Sequence, residues 1–546
     1  MSKSINGREL KQMLLSASNN LYNHYPEVDA LNVFPVPDGD TGMNMNLTLA
    51  SGAKEIQNRN DEDAYSIISS FSRGLLMGAR GNSGVITSQI FRGISTYLKD
   101  KSVIKTQDFI DAISNGASVA YKAVMRPVEG TILTVIRESS EALSDKADKL
   151  STLEDAVDYW LKEARASLKR TPELLPVLKE VGVVDSGGAG LVYIIEGINL
   201  CLKGKFVEKR EATSVIAPSE MSVSQAESDE LGYRIEFSLM LGPVESKKPY
   251  IESRFKTFLE GHGHSVMIAK ENEIVTVCIN SMTPGGILTY AQSYGEFVTI
   301  KIVNLSEKVV VKEKEEPKVE AKHEPTKDFG LVAISAGKGV DEIFKELGVD
   351  EIVSGGQTMN PSIEDIVKAI RRCDARDVFV FPNNSNIVMA ALQASDVLAD
   401  EVKVHVVVTR TIPQGIVGVS AFSPDLSADE NYKNMKEEIK HIQSGSITYA
   451  IKDTVIDGVE VTKDYFMGIK DKKIVVCERN LLTSLYKLLA SMITDESFLV
   501  TILIGEGVDE KQEKALTEKL KKKYENVEFD IRHGDQPVYN FLIGVE

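Results

Sequence analysis

Two polar stretches interrupt this 546-residue chain, and neither carries the period of a helix or a strand. The first, VEKREATSVIAPSEMSVSQAES from Val207 to Ser228, contains Pro218 and no repeating apolar face, as a linker or crossover would. The second, SEKVVVKEKEEPKVEAKHEPTKD from Ser306 to Asp328, is dense in charge and holds two prolines and few large apolar residues. The segments they separate have different hydrophobic periods. A multidomain chain is therefore expected, with units at 1–205, 229–305 and 329–546 and linkers at 206–228 and 306–328. Its length also exceeds what one core usually organises.

In the first unit Leu10, Met13, Leu14, Ala17 and Leu21 follow the spacing of one buried helical face, and similar stripes recur over Ile67 to Gln89 and Phe109 to Val124. This unit is predicted to be all-helical. In the second, runs such as YRIEFSLML, SVMIA, EIVTVCI and FVTIKIV flank helix-like ESRFKTFLEG and GGILTYAQSYG, which suggests a small α+β fold. In the third, GLVAISA, VFVFP, VKVHVVVT, KIVVC and FLVTILIG are nearly all apolar and alternate with helical segments. Strands buried on both faces and separated by helices predict an α/β domain with a doubly wound parallel sheet.

Eighty acidic against 63 basic side chains give a net charge of −17, which disfavours non-specific attraction to nucleic acid or anionic membranes. No apolar run is long enough for a membrane helix, and the N-terminus lacks a signal-peptide pattern, so a cytoplasmic protein is expected. The four cysteines, Cys201, Cys278, Cys373 and Cys477, lie far apart without metal-ribbon spacing and read as packing residues.

The chemistry concentrates in four glycine-bearing breaks of the helical unit. In NVFPVPDGDTGMNMNLTL, residues 32–49, Asp38 and Asp40 flank a glycine where a helix is about to begin. Two carboxylates that close repel unless a cation lies between them, and hard oxygen ligands near a phosphate suit Mg²⁺. The helix start beyond them offers free N–H groups and a positive dipole end to an anion. A surface turn with an Asp or Thr cap explains the same residues locally. A second break, GLLMGARGNSGVITSQIFRG, places Asn82 and Ser83 at another helix start, although no Walker A lysine follows. RPVEGTILTVIRE and GVVDSGGAGLVYIIEG are the third and fourth. Plain turns do not need so many, and a nucleotide site assembled from helix N-termini is the reading preferred here.

In this order NVFPVPDGDTGMNM, GARGNSG, PVEGTILTV and VVDSGGAGL resemble the nucleotide-binding domain of the dihydroxyacetone kinase family, and the three-domain chain resembles the ATP-binding subunits of bacterial fatty acid kinases. The resemblance implies a barrel of antiparallel helices that binds ATP and two Mg²⁺ at one end. It makes Asp38 and Asp40 metal ligands, with Asn32 a candidate where relatives carry another Asp. It brings Thr41, Gly42, Asn44, Asn82 and Ser83 to the nucleotide phosphates, and has Thr131, Leu133, Asp185 and Gly187 border the nucleotide. The implied reaction is phosphorylation of a fatty acid carboxylate, delivered by a separate fatty-acid-binding protein, to an acyl phosphate for phospholipid synthesis. Such a nucleophile is already ionised and needs no general base, and the first 205 residues contain only His24. Arg80 and Arg126 are the candidates for offsetting charge in transfer.

In the middle unit the resemblance leads to a Cys and an H-x-H set, but the corresponding positions are Arg234, Cys278 and Asn280, so no zinc is expected there. His262 and His264 read as turn residues. The last unit resembles the C-terminal domain of the same proteins, related in fold to DegV-like fatty-acid-binding proteins, and is implied to dock the acyl-carrying partner. Gln357, Thr358 and Asn384 follow strand ends and either touch a ligand or cap helices. A homodimer through the middle unit is a family expectation. The alternatives are a non-catalytic nucleotide-binding regulator and a dihydroxyacetone kinase-type subunit.

Overall fold

The computed structural model describes residues 4–33, 39–210, 325–356, 359–450, 453–456, 458–471 and 473–546, and between these 233–241, 250, 255–256, 258–259, 264–271, 274–281 and 284–304. The N-terminal and C-terminal regions, 1–211 and 325–546, form one compact unit, and the middle region is a second.

The first region is a set of helices: α1 (Gly7–Ala30), α2 (Thr41–Gln57), α3 (Ala64–Gly78), α4 (Gly81–Tyr97), α5 (Thr106–Ala123), α6 (Ile132–Asp145), α7 (Leu153–Leu174), the short α8 (Pro176–Val181) and α9 (Ser186–Leu202). A two-stranded ribbon, β1 (Ser4–Ile5) with β2 (Ile104–Lys105), ties the start of the chain to the start of α5. The stripe predicted on α1 is buried, with Leu10, Met13, Leu14, Ala17 and Leu21 in one core with Met45 and Leu49 of α2, Phe71 of α3 and Ile194 and Ile195 of α9. The α1 start carries a capping box, Asn6 with Glu9, which satisfies two backbone donors reciprocally. Residues 206–210 run back along α1: Val207 N–H donates to Ser16 Oγ (3.2 Å) and Arg210 N–H to Asn23 Oδ1 (2.9 Å).

The middle region is a four-stranded antiparallel sheet of order β4-β5-β3-β6, from β3 (Tyr233–Leu241), β4 (His264–Glu271), β5 (Ile274–Ser281) and β6 (Gly295–Asn304), with a helix at Pro284–Gln292. Its core is Ile235, Phe237, Leu239, Val275, Val277 and Ile279 with Phe255 and Leu259. In the β3/β5 register Arg234 stands opposite Asn280 and Glu236 opposite Cys278. On the other side of β5, His264 stands opposite Asn280. His262 lies outside the described residues.

The C-terminal region is α/β, but only half of it matches the doubly wound parallel sheet expected. Strands β7 (Lys327–Ser335), β8 (Glu351–Ser354), β9 (Ala375–Phe381) and β10 (Lys403–Val406) form an all-parallel sheet of order β10-β9-β7-β8, with crossovers that include Lys338–Glu346, Ile363–Arg372 and Val388–Val397. The second half is a mixed sheet of order β15-β14-β11-β18-β16-β17, in which only β16 (Leu499–Ile504) and β17 (Glu528–His533) are parallel. Its other members are β11 (Gln443–Tyr449), β14 (Phe466–Lys470), β15 (Lys473–Glu478) and β18 (Phe541–Val545), and a small ribbon, β12 (Thr454–Ile456) with β13 (Val459–Val461), lies beside them. The physical reason is the connection: β14 and β15 are joined by two residues, too few for a crossover, so KIVVC must pair antiparallel. Its strand is also only half-buried, and an apolar composition alone does not reveal that.

Candidate functional site

The four glycine breaks become four helix N-termini, and contacts bring them together in pairs. At the first, Gly39 is left-handed (φ +66°) and Asp40 precedes α2 without capping it through its side chain. At the second, Arg80 precedes α4 and Gly81 is left-handed (φ +59°), which only a residue without a Cβ adopts cheaply. The pair is closed by Ser83 Oγ, which donates to the Thr41 carbonyl (3.4 Å), and by Arg80 N–H, which donates to Thr48 Oγ1 (3.3 Å). A Cβ on Gly81 would lie 2.7 Å from Asn44 Nδ2. Thr41, Asn44 and Ser83, chosen from sequence, therefore adjoin.

The other pair is α6 and α9. Asp185 caps α9 by accepting from the Gly188 N–H (2.7 Å), and its carboxylate also accepts from the Ile132 N–H at the start of α6. Its own N–H donates to Thr171 Oγ1 (3.1 Å). Burial dominates and pushes the Asp185 carboxyl up to about 6, against the opposing pull of the two N–H groups. A Cβ on Gly187 would lie 3.2 Å from Ile132 Cβ. Thr131 stands just before α6, its hydroxyl donating to the Val128 carbonyl (2.7 Å), whereas Leu133 points into the helical core. The two pairs meet where Gly190 of α9 packs on Met45 of α2, at a distance of 2.6 Å from a would-be Cβ to the sulfur.

Around Asp40 the donors suit a hard cation. Its carboxylate is buried (7% exposed) and accepts from Asn360 Nδ2 at 2.6 Å. Asn360 is 2% exposed, and among the described residues neither its Oδ1 nor the buried Asn82 Oδ1 has a hydrogen-bond partner. Carboxylate and amide oxygens are the ligand chemistry of Mg²⁺. Asn32 is buried just after α1, its N–H donating to the Asp29 carbonyl (3.0 Å), and Asp38 lies outside the described residues.

Three assignments gain unexpected partners. The Gly42 and Met43 N–H groups of α2 both donate to Asp29 Oδ1 (2.6 and 3.1 Å), so a carboxylate from α1 already occupies that helix end. Burial raises the Asp29 carboxyl to about 6, opposed by those two N–H groups, with the Asp40 charge adding to the rise. In the sequence the signal for Asp29 is only that of a carboxylate in the last turn of the helix that leads into the DGD turn. Arg80 Nη1 donates to the Asn360 carbonyl (2.9 Å) and its guanidinium pairs with Asp365 (3.8 Å), both across the seam with the C-terminal region. Asn82 Nδ2 donates to Asn386 Oδ1 (3.2 Å) across the same seam. Arg126 is exposed between α5 and α6. The isolated histidine, His24, bonds the Asn20 carbonyl (2.8 Å) and stacks on Tyr193, so it serves α1–α9 packing. Asn384 Oδ1 accepts from the Asn386 N–H (2.8 Å), a local cap, and Gln357 and Thr358 lie outside the described residues.

Comparison with known proteins divides the chain into three matched segments. Residues 35–199 match the DAK2 domain, 230–311 the FakA-like middle domain of fatty acid kinases, and 330–546 the FakA-like C-terminal domain of the same enzymes. The chain is 40% identical to protein YloV of Bacillus subtilis and 39% identical to an uncharacterized Staphylococcus aureus protein, in each case over the full length of both chains. A fatty-acid-binding protein from Thermotoga maritima shares 14% identity over 40% of this chain and 99% of its own, with a TM-score of 0.32. The dihydroxyacetone kinase of C. freundii shares 18% over 36% of this chain and 35% of its own, with a TM-score of 0.26. Among the described residues, no helix is long and apolar enough to cross a membrane. Helix-borne glycine motifs, the three domain matches in order and full-length relatives agree: the chain belongs to the FakA-like family of fatty acid kinase proteins, related to the dihydroxyacetone kinases.

Proposed function

We propose that this chain is the ATP-dependent subunit of a fatty acid kinase, transferring the γ-phosphoryl of ATP to a fatty acid carboxylate held by a separate binding protein. The observation that carries the reading is the convergence of Asp40, the Thr41–Ser83 pair and the Asp185–Ile132 pair at paired helix N-termini, in a chain of this family. Such ends favour anions, and buried oxygen ligands beside them favour a divalent cation. Mg²⁺, held by Asp40 with Asp38 and Asn32 as further candidates, would neutralise phosphate charge.

The chain's own groups account for the rest. Thr41, Asn44, Asn82 and Ser83 would meet the phosphate oxygens, and the α6/α9 ends, with Thr131, Asp185 and Gly187, would form a second wall. The acceptor carboxylate attacks phosphorus as the bond to the leaving ADP oxygen breaks, and no proton has to be removed first. That demand calls for no histidine, and His24 is committed to packing. Arg80 is better suited to holding the seam than to following the reaction, because Asn360 and Asp365 already engage it. Arg126, exposed in the connection that leads into α6, is the better candidate for meeting developing charge.

The test is to incubate the protein with ATP, Mg²⁺, oleate and a fatty-acid-binding protein of the DegV type and to trap product with hydroxylamine. Acyl hydroxamate is expected. Turnover of dihydroxyacetone without hydroxamate would favour the ketose kinase reading, and nucleotide binding with neither product a regulator.

A further inference from the structure

The segment between β8 and the helix Ile363–Arg372 belongs to the C-terminal region, yet it reaches the Asp40 end of the helical region. Asn360 donates from Nδ2 to Asp40 Oδ2 (2.6 Å) and lies 3.5 Å from Asn44 Oδ1, while its carbonyl accepts from Arg80. Beside it Ser362 pairs with Arg80 as an antiparallel bridge and Ile363 N–H donates to the Ala79 carbonyl (3.2 Å). The seam continues through a buried amide pair, Gln89 Nε2 to Gln393 Oε1 (2.6 Å), and Ala79 and Val85 share one core with Val332, Ile334, Ile363 and Ile366. The contact is thus an extended, partly apolar interface, and its polar end falls on the carboxylate assigned to the metal.

Two features of Asn360 exceed what docking requires. The Asn360 amide donates to one Asp40 oxygen and helps to fix the plane of the carboxylate, which is how outer partners orient metal ligands. The Asn360 Oδ1 is also buried without a partner among the described residues, and an orphaned acceptor in that position costs stability unless a cation or its water shell meets it.

We propose that Asn360 is a positioning residue of the nucleotide site: it orients the Asp40 carboxylate for a divalent cation, and Mg²⁺-nucleotide binding is therefore linked to seating of the C-terminal region. The inference rests on the reading of the Asp40 end as the Mg²⁺-nucleotide site. By linkage, a ligand favoured by the seated arrangement also stabilises the seam.

The test measures ADP affinity of the full-length chain by calorimetry, with and without Mg²⁺, for wild type, Asn360→Ala and Gln393→Ala. Asn360→Ala should lose about tenfold of the Mg²⁺-dependent gain in affinity, in line with other outer-partner deletions, with Mg²⁺-free binding unchanged. Gln393→Ala, which loosens the same seam away from Asp40, should lose clearly less of the gain than Asn360→Ala, through the linkage alone. Hydrogen exchange of residues 359–366 in the wild type should slow on adding Mg²⁺ and ADP. A full Mg²⁺-dependent gain in Asn360→Ala, or an equal loss in Gln393→Ala, would overturn the proposal. Should Asn360→Ala not fold, Asn360→Asp decides: a second carboxylate facing Asp40 should make the melting temperature rise more with Mg²⁺ alone than in wild type, and an equal or smaller rise overturns the proposal. Absence of Mg²⁺-dependent ADP binding by the wild type would instead overturn the nucleotide reading on which the inference depends.

Discussion

The α2/α4 and α6/α9 pairs are built from similar glycine motifs but are closed in opposite ways. The α6/α9 end is sealed by one buried residue of its own, Asp185, which accepts from both helix starts. The α2/α4 end is held from outside: Asp29 of α1 takes two N–H groups of α2, and Asn360 and Asn386 of the C-terminal region take Asp40 and Asn82. A self-sealed end acts as a fixed wall. An end held by other parts of the chain depends on how those parts are seated, and it is the one proposed to take the metal and phosphate groups.

The largest effects should come from the glycines that set helix spacing. A Cβ at Gly42 would run into the Tyr25 carbonyl of α1, a backbone atom that cannot swing aside. Gly42→Ala should therefore cost about 3 kcal/mol of stability, the upper range for overpacking, whereas Gly187→Ala, facing the Ile132 side chain, should cost about 1 kcal/mol. Denaturant titration of the two variants measures the contrast; equal costs would mean the pairs are packed alike.

Next comes the pH dependence of the sealed end. The folded Asp185 carboxyl is raised from 3.8 to about 6, so between these values the native state holds a proton that the unfolded chain has released. Stability contributed by the protonated form is present below about pH 4 and is lost as pH rises through about 6. Asp185→Asn keeps a good cap without the buried charge. Relative to wild type it should gain on the order of 3 kcal/mol in stability between pH 4 and pH 7. A difference that stays flat over that window would show the carboxylate to be well solvated.

The smallest effect concerns Asp29. Asp29→Ala should cost about 1 kcal/mol, the usual value of a lost helix cap, without weakening ADP binding, because the two α2 N–H groups it frees are then open to an anion. Weaker ADP binding measured by calorimetry would place Asp29 among the ligands rather than the competitors.

Much of this site is local and so was legible in sequence. The helix starts at Thr41, Gly81, Ile132 and Ser186 follow from glycine breaks in apolar stripes, and neighbouring motifs meet, Thr41 with Ser83 and Ile132 with Gly187. Asp29 escaped notice because a carboxylate near a helix end looks like any solvated residue until the next helix turns back on it. The partners Asn360 and Asn386 escaped it for a different reason: they lie about three hundred residues along the chain, and no periodicity links them to Asp40 or Asn82. The antiparallel half of the last sheet was likewise hidden, since strand composition reports burial but connection length decides direction.

The central claim, that the α2/α4 end holds a Mg²⁺-bound nucleotide, is tested most directly by Asp40→Asn. Asn retains an oxygen acceptor for Asn360 but not the charge a cation needs, so circular dichroism should be unchanged while Mg²⁺-dependent ADP binding by calorimetry is abolished. Wild-type Mg²⁺-dependent affinity in a folded Asp40→Asn protein would contradict the claim, and loss of helicity would reduce Asp40 to a structural residue of the turn.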